Sequence, residues 1–226
     1  MSAGPGPEQP AHRVGRYTVG ARLYDVVSLE RPVYRRARLA GVQALDLKPG
    51  QRVLDVGCGT GLNVPLLRDA VGPSGRVVGV DLSPQMLAQA GARISAAGWR
   101  NVRTIRGDAA QLDLAGLAEG QGGFDAVFMT YTMSIISDYR QAWQSVVSAV
   151  IPGGRIAMVD LGLPHGRWRL LWPLARLACF TGGSDPHRAP WTLTHTDLVP
   201  GNPMEFLGGH VHVASWTRRT SETTRP

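Results

Sequence analysis

The stretch Val53-Leu54-Asp55-Val56-Gly57-Cys58-Gly59-Thr60-Gly61 decides the fold. A short apolar run beginning at Arg52 passes directly into glycines. A run of that length, bounded by turn residues, predicts a strand buried on both faces of a parallel sheet. In an open sheet of this kind, ligands sit beyond the carboxyl ends of the strands. Glycines there let the main chain turn tightly and lie against a ligand. A dinucleotide site would need G-x-G-x-x-G, but position 62 is leucine and the spacing is G-x-G-x-G. That loop suits a nucleoside without a pyrophosphate, with the next helix N-terminus free to meet a carboxylate.

Working outward, strands and helices alternate. A helix is expected from about Asn63 to Ala70, then a strand over Arg76–Val80. Ser83-Pro84 opens a helix, serine as N-cap and proline at the first helical position. Val102–Arg106 and Phe124–Met129 are the next strands. Asp138–Val150 is helical, with Ala142, Trp143, Val146, Val147 and Val150 on one face. Pro152-Gly153-Gly154 ends it, and Arg155–Val159 is the fifth strand. His210–Trp216 reads as a last strand. The residues before it are loop-like, with Pro200, Gly201 and Pro203, so a terminal antiparallel hairpin is expected with an ill-defined first strand. Alternation of this kind implies an α/β doubly wound sheet. Upstream, the pattern over Tyr17–Leu47 is helical and Arg-rich, ending before the Lys48-Pro49-Gly50 turn.

Composition narrows the class. Of 24 basic side chains Lys48 is the only lysine, and the net charge of +7 lies mostly at the ends: +4 over residues 1–38 and +2 over 218–226. The near-neutral middle argues against a nucleic-acid track. Two cysteines without C-x-x-C spacing predict neither a disulfide framework nor a zinc site. Met1–Pro10 lacks an apolar core of the signal-peptide type, and no apolar run reaches the ~20 residues of a membrane span. A cytoplasmic protein is expected, with disordered tails, a basic one over 1–16 and another over 218–226, flanking one domain over 17–217. His210 and His212 alternate on one strand face, but no third ligand is evident, so no metal is expected.

Asp81 lies 20 residues after Gly61, at the end of the second strand. A carboxylate there can accept hydrogen bonds from ribose hydroxyls. Leu82 and Met86 flank it and can sandwich a flat base. Asp108, in Gly107-Asp108-Ala109 after the third strand, can accept from an adenine amino group.

These motifs, Leu54 to Gly61, Val80-Asp81-Leu82-Ser83-Pro84-Gln85-Met86-Leu87, Gly107-Asp108-Ala109 and Pro152-Gly153-Gly154, resemble the class I S-adenosyl-L-methionine-dependent methyltransferases. Two groups are nearest: soluble bacterial phosphatidylethanolamine N-methyltransferases and ubiquinone/menaquinone-biosynthesis C-methyltransferases. The resemblance implies a Rossmann-like seven-stranded sheet, mostly parallel with an antiparallel last strand, and helices on both faces. It implies S-adenosyl-L-methionine as cofactor. It places Gly57, Gly59, Thr60 and Gly61 around the methionine moiety, Asp81 on the ribose, Asp108 and Ala109 at the adenine and Thr130 near the sulfonium, and it counts Asp55 among the cofactor-binding residues. Tyr24-Asp25 and Tyr34-Arg35-Arg36 resemble the helical cap of the lipid-methylating group, and Arg188-Ala189-Pro190-Trp191 and Gly208 to Ala214 resemble its C-terminal half.

Methyl transfer to an in-line nucleophile depends mostly on positioning. Tyr131 and Tyr24 are the candidates for lining the transfer face, where aromatic rings can hold a methylated ammonium; packing alone is the alternative for both. Residues 161–195 form the expected substrate lid. Within it Arg167 to Phe180 joins tryptophans, leucines and arginines in the manner of a membrane interface, or of a lid packed on its own domain. The expected acceptor is a small molecule or a lipid, a phosphatidylethanolamine-type amine ahead of a quinone carbon, reached through peripheral contact with an anionic membrane. A small secondary metabolite as acceptor and a non-catalytic cofactor-binding protein are the alternatives.

Overall fold

A computed structural model describes residues 34–119 and 122–220. Its parallel strands are β1 (Arg52–Val56), β2 (Arg76–Asp81), β3 (Val102–Arg106), β4 (Phe124–Thr130) and β5 (Val150–Leu161). Three strands follow: β6 (Leu198–Pro200), β7 (Met204–Phe206) and β8 (Val211–Arg218). The sheet order is β3-β2-β1-β4-β5-β8-β6, with β7 also on β8. Only β8 opposes the rest: it pairs antiparallel with β5, β6 and β7. β6 and β7 occupy one edge position, interrupted at Gly201-Asn202-Pro203, where proline has no N–H to donate to a ladder. Among the described residues, eight strands thus fill the seven expected positions.

Side-chain alternation divides the interior into two cores. Leu54, Val56, Val127, Met129, Ile156 and Met158 face one way, onto α4 (Tyr139–Ala149) with its fully buried Trp143. Val53, Ala126, Phe128, Ala157 and Val159 face the other, onto α1 (Arg35–Ala44) and α2 (Val64–Val71). The remaining α-helices among the described residues are α3 (Pro84–Ala96) and α5 (Trp172–Gly182). Gly41 lets α1 lie close: a Cβ there would come within 2.7 Å of Val159 and 2.8 Å of Phe128.

Local signals account for the boundaries. Ser83 Oγ accepts the Met86 N–H at 3.4 Å, and Pro84 opens α3. The Asp138 side chain accepts the Gln141 N–H and starts α4. One boundary differs from expectation. Pro152-Gly153-Gly154 does not separate helix from strand. Val150 already pairs with Phe124, and the ladder resumes at Arg155 opposite Ala126, so the glycines bulge out of β5 itself. Gly153 at φ +80° supplies the bend.

Candidate active site

The glycine loop leaves β1 at its carboxyl end. Gly57, Gly59 and Gly61 all have positive φ, +69°, +54° and +80°, but their surroundings differ. A Cβ on Gly57 would collide with the Thr132 side chain, whereas one on Gly59 would meet nothing within 4 Å. Gly59 therefore turns a bare stretch of main chain toward open space. Beneath the loop, Gly57 and Cys58 donate their N–H groups to the Val80 carbonyl, tying the loop to β2.

Asp81 closes this loop from the second strand. One carboxylate oxygen accepts the Gly59 N–H and the other the Ser83 N–H, both at 2.8 Å. Burial raises its pKa, while those two N–H groups pull it back. Leu82 is exposed and Met86 buried beside it. Asp108 accepts the Ala110 N–H at 2.9 Å in a tight turn after β3, and Ala109 is buried in the core behind it. Strands β1, β2 and β3 therefore deliver the glycine loop, Asp81 and Asp108 to one edge of the sheet.

A buried polar cluster lies on the β1–β4 side. Asp55, Asn63, Thr130 and Arg38 are each less than a tenth exposed. Asn63 Nδ2 donates to Asp55 Oδ1 at 2.7 Å and to Thr130 Oγ1 at 3.0 Å. Arg38 Nη1 donates to Asn63 Oδ1 and, at 3.1 Å, to Thr130 Oγ1. Asp55 Oδ2 has no hydrogen-bond partner. Burial pushes the Asp55 carboxyl up to about 7, against the pull of Asn63 and Arg38. Thr60 is buried in the loop, and its carbonyl accepts from Arg93 Nε.

Toward β5 the lining is aromatic. Tyr131 follows β4 with φ +54° and donates its hydroxyl to the Tyr34 carbonyl at 3.1 Å. Its ring sits edge-on to Tyr34 at 5.3 Å, with the Arg38 guanidinium 5.4 Å from its centroid. That face thus already holds a cation, the one offered by Arg38. His210 immediately precedes β8, beside the carboxyl end of β5. Its Nδ1 donates to the Gly162 carbonyl at 2.9 Å, which leaves Nε2 to accept from the Tyr34 hydroxyl at 3.2 Å. Burial lowers the His210 pKa. His212 goes elsewhere, stacked on Trp191 at 3.8 Å with Glu205 3.4 Å away, so the two imidazoles do not share a ligand. Tyr24 lies outside the described residues, as do residues 17–33 of the expected cap.

Arg38 and Asn63 are absent from the site residues drawn from the sequence, where Tyr34 entered only as part of a cap motif and His210 only as a metal ligand weighed and set aside. Asn63, two positions beyond Gly61, carried a usable signal as a polar residue at the start of the helix that follows the loop. Arg38 carried none, being one arginine among several in its helix. A cavity of ≈ 630 Å³ opens at the opposite edge, between Arg52, Arg76 and Trp99 at the strand starts. It holds neither glycine loop nor strand-end carboxylate.

A strand order with one antiparallel strand inserted beside the fifth, and a glycine loop after the first, decide the architecture. This is the class I methyltransferase fold. Residues 53–154 match the family model described as a methyltransferase domain. The demethylmenaquinone methyltransferase of Bacillus cytotoxicus is 31% identical over 142 residues, 63% of this chain and 57% of that protein. The chain thus spans little more than half the length of the curated relatives it matches. Among solved structures, a SAM-dependent methyltransferase from Aquifex aeolicus superposes with a TM-score of 0.60 at 19% identity, covering 88% of this chain and 98% of its own. Phosphoethanolamine N-methyltransferase 2 of Haemonchus contortus, in complex with S-adenosyl-L-methionine, gives 0.59 at 24% identity, over 75% of this chain and 38% of its own.

Proposed function

We propose that the chain is an S-adenosyl-L-methionine-dependent methyltransferase acting on a lipid-like acceptor, with a quinone-precursor ring carbon favoured over a phosphatidylethanolamine-type amine. The observation that carries the cofactor reading is Asp55. A buried carboxyl with one unpartnered oxygen, beside a glycine loop facing open space, suits a ligand with a cationic amino group and a flat nucleoside. Asp81 and Asp108 would hold the ribose and the adenine, and Thr60 and Thr130 the methionine side. When bound, the cofactor supplies an electrophilic methyl group. The preference for a ring carbon rests on the curated relatives named for demethylmenaquinone.

The chain's own residues position the acceptor and manage one proton. A phenol-type acceptor becomes a carbon nucleophile when its hydroxyl is deprotonated. Tyr34 and His210 form a relay that can take up this proton, because the Tyr34 hydroxyl hydrogen is already directed at His210 Nε2. The lowered pKa keeps His210 neutral, and so able to accept a proton, at physiological pH. Tyr131 braces Tyr34 through its main-chain carbonyl.

The test is direct. Calorimetry with S-adenosyl-L-methionine and the purified chain should show one site. Incubation with demethylmenaquinone and, separately, with phosphatidylethanolamine should add a methyl group to the first, read by mass spectrometry. No binding sinks the cofactor reading; methylation of the amine alone reverses the order of acceptors. His210→Asn should lower kcat while leaving cofactor affinity within about twofold; an unchanged kcat removes the relay.

A further inference from the structure

Between β5 and β6 the chain forms a 3₁₀ turn, Gly166–Leu171, that runs into α5. The segment has two sides. Ala175 and Cys179, one helical turn apart, are buried, and Cys179 belongs to the core that holds Val159, Leu161 and Val211. Away from the core, Leu170, Leu174 and Leu177 are 89%, 65% and 58% exposed. Leu174 and Leu177, three residues apart, share one face of α5, and Leu170 extends the row from the 3₁₀ turn that leads into it. Leucines exposed singly are ordinary, but a contiguous row marks a surface that something else covers.

The charge beside the row indicates what covers it. Residues 161–184 contain Arg167, Arg169 and Arg176 and no aspartate or glutamate. Among the described residues none of the three arginines is in an ion pair with a carboxylate. The guanidiniums of Arg167 and Arg176 lie 5.7 and 4.7 Å from the rings of Trp168 and Trp172. A leucine row flanked by arginines, with a tryptophan at its edge, fits the boundary between lipid tails and anionic headgroups. A second copy of the chain fits poorly, because two such faces would bring their arginines together with nothing to neutralise them.

Position links this surface to the site. The segment leaves the carboxyl end of β5, and its far end is tied to the loop after β4. Asp185 donates its N–H to the Ser134 carbonyl at 3.3 Å, and Arg188 donates to the Ile136 carbonyl. That loop begins at Tyr131. Trp168 takes no part in docking; it packs over Gly208, where no Cβ could fit.

We propose that the chain docks reversibly on anionic bilayers through the Leu170–Leu174–Leu177 row and its arginine border, and that docking holds the aromatic end of the site against the membrane. The proposal rests on the apolar-acceptor reading above. The experiment is co-sedimentation of the full chain with phosphatidylcholine vesicles, with and without phosphatidylglycerol, at low and high salt. Wild type should sediment with the anionic vesicles and weaken with salt. Leu174→Asp/Leu177→Asp should bind at least about tenfold more weakly, and Arg169→Glu/Arg176→Glu at least about fivefold per arginine. Calorimetry with S-adenosyl-L-methionine on the same variants keeps the two readings apart, since docking can fail while cofactor affinity stays unchanged. Absence of sedimentation on anionic vesicles, or equal sedimentation by the leucine variant, overturns the proposal. So does a wild-type dimer that the leucine variant converts to monomer in size-exclusion chromatography.

Discussion

Asp55, buried with one carboxylate oxygen unpartnered, carries a cost in stability. Its carboxyl has an ordinary pKa of 3.8, and the fold raises it to about 7. The unfolded chain releases this proton near pH 4 while the folded chain keeps it. The group's contribution to stability therefore falls as pH rises from about 4 to about 7, and stays at that lower level above. Asp55→Asn keeps the bond from Asn63 and removes the buried charge. Its melting temperature should exceed wild type by several degrees at pH 8, with the gap shrinking toward pH 5. Its affinity for S-adenosyl-L-methionine should fall at least about tenfold, because a charge-assisted partner is lost. The paired glycines make a second contrast. Gly57→Ala forces Thr132 aside and should lower the melting temperature. Gly59→Val should leave a circular dichroism spectrum of the folded protein and abolish cofactor binding. Retained binding by Gly59→Val would remove the loop from the site. The residues that spacing revealed, Asp81 and the glycines, stand in short motifs where chain order fixes position. Arg38 escaped, and His210 was weighed only as a metal ligand, because both reach the candidate site only when α1 and β8 fold back onto β4 and β5, a contact over 92 residues for Arg38 and Thr130.

Helices and strands were legible wherever a local rule sets them. Ser83-Pro84 and Asp138 start helices by capping, and the apolar face of α4 is a plain 3.6 period. The rule failed where backbone pairing overrides composition. Pro200 and Pro203 read as loop, yet Leu198–Pro200 and Met204–Phe206 pair with β8 on either side of the break. An edge position tolerates proline because one of its sides needs no ladder. The Pro152-Gly153-Gly154 bulge was hidden for the same reason. Helix α1 carries a prediction at this scale. Gly41→Val would press a side chain into Val159 and Phe128, lifting the helix that holds Arg38. Overpacking of this kind costs about 1–3 kcal/mol, and denaturant melts should show it together with weakened cofactor binding. Unchanged melts would mean that α1 packs less closely than its glycine allows.

At the scale of the molecule, two cores share one sheet, and β8 serves both: Val211 and Val213 belong to the α1–α2 core, Ala214 and Trp216 to the α4 core. Trp216 meets Trp143 edge-on at 4.8 Å. Deleting residues 210–226 should therefore leave an aggregated product, read as loss of soluble protein; a soluble, cofactor-binding truncation would contradict the central place given to β8. That placement has a further consequence, in the order of events during synthesis. Of the described strands, β8 leaves the ribosome last, yet it lies between β5 and β6, not at an edge. Until it arrives, β5 presents an unpaired, apolar edge, the kind that captures strands from other chains. The nascent protein must wait with its sheet open, and slower translation through residues 162–210 would lengthen the interval in which a chaperone is needed.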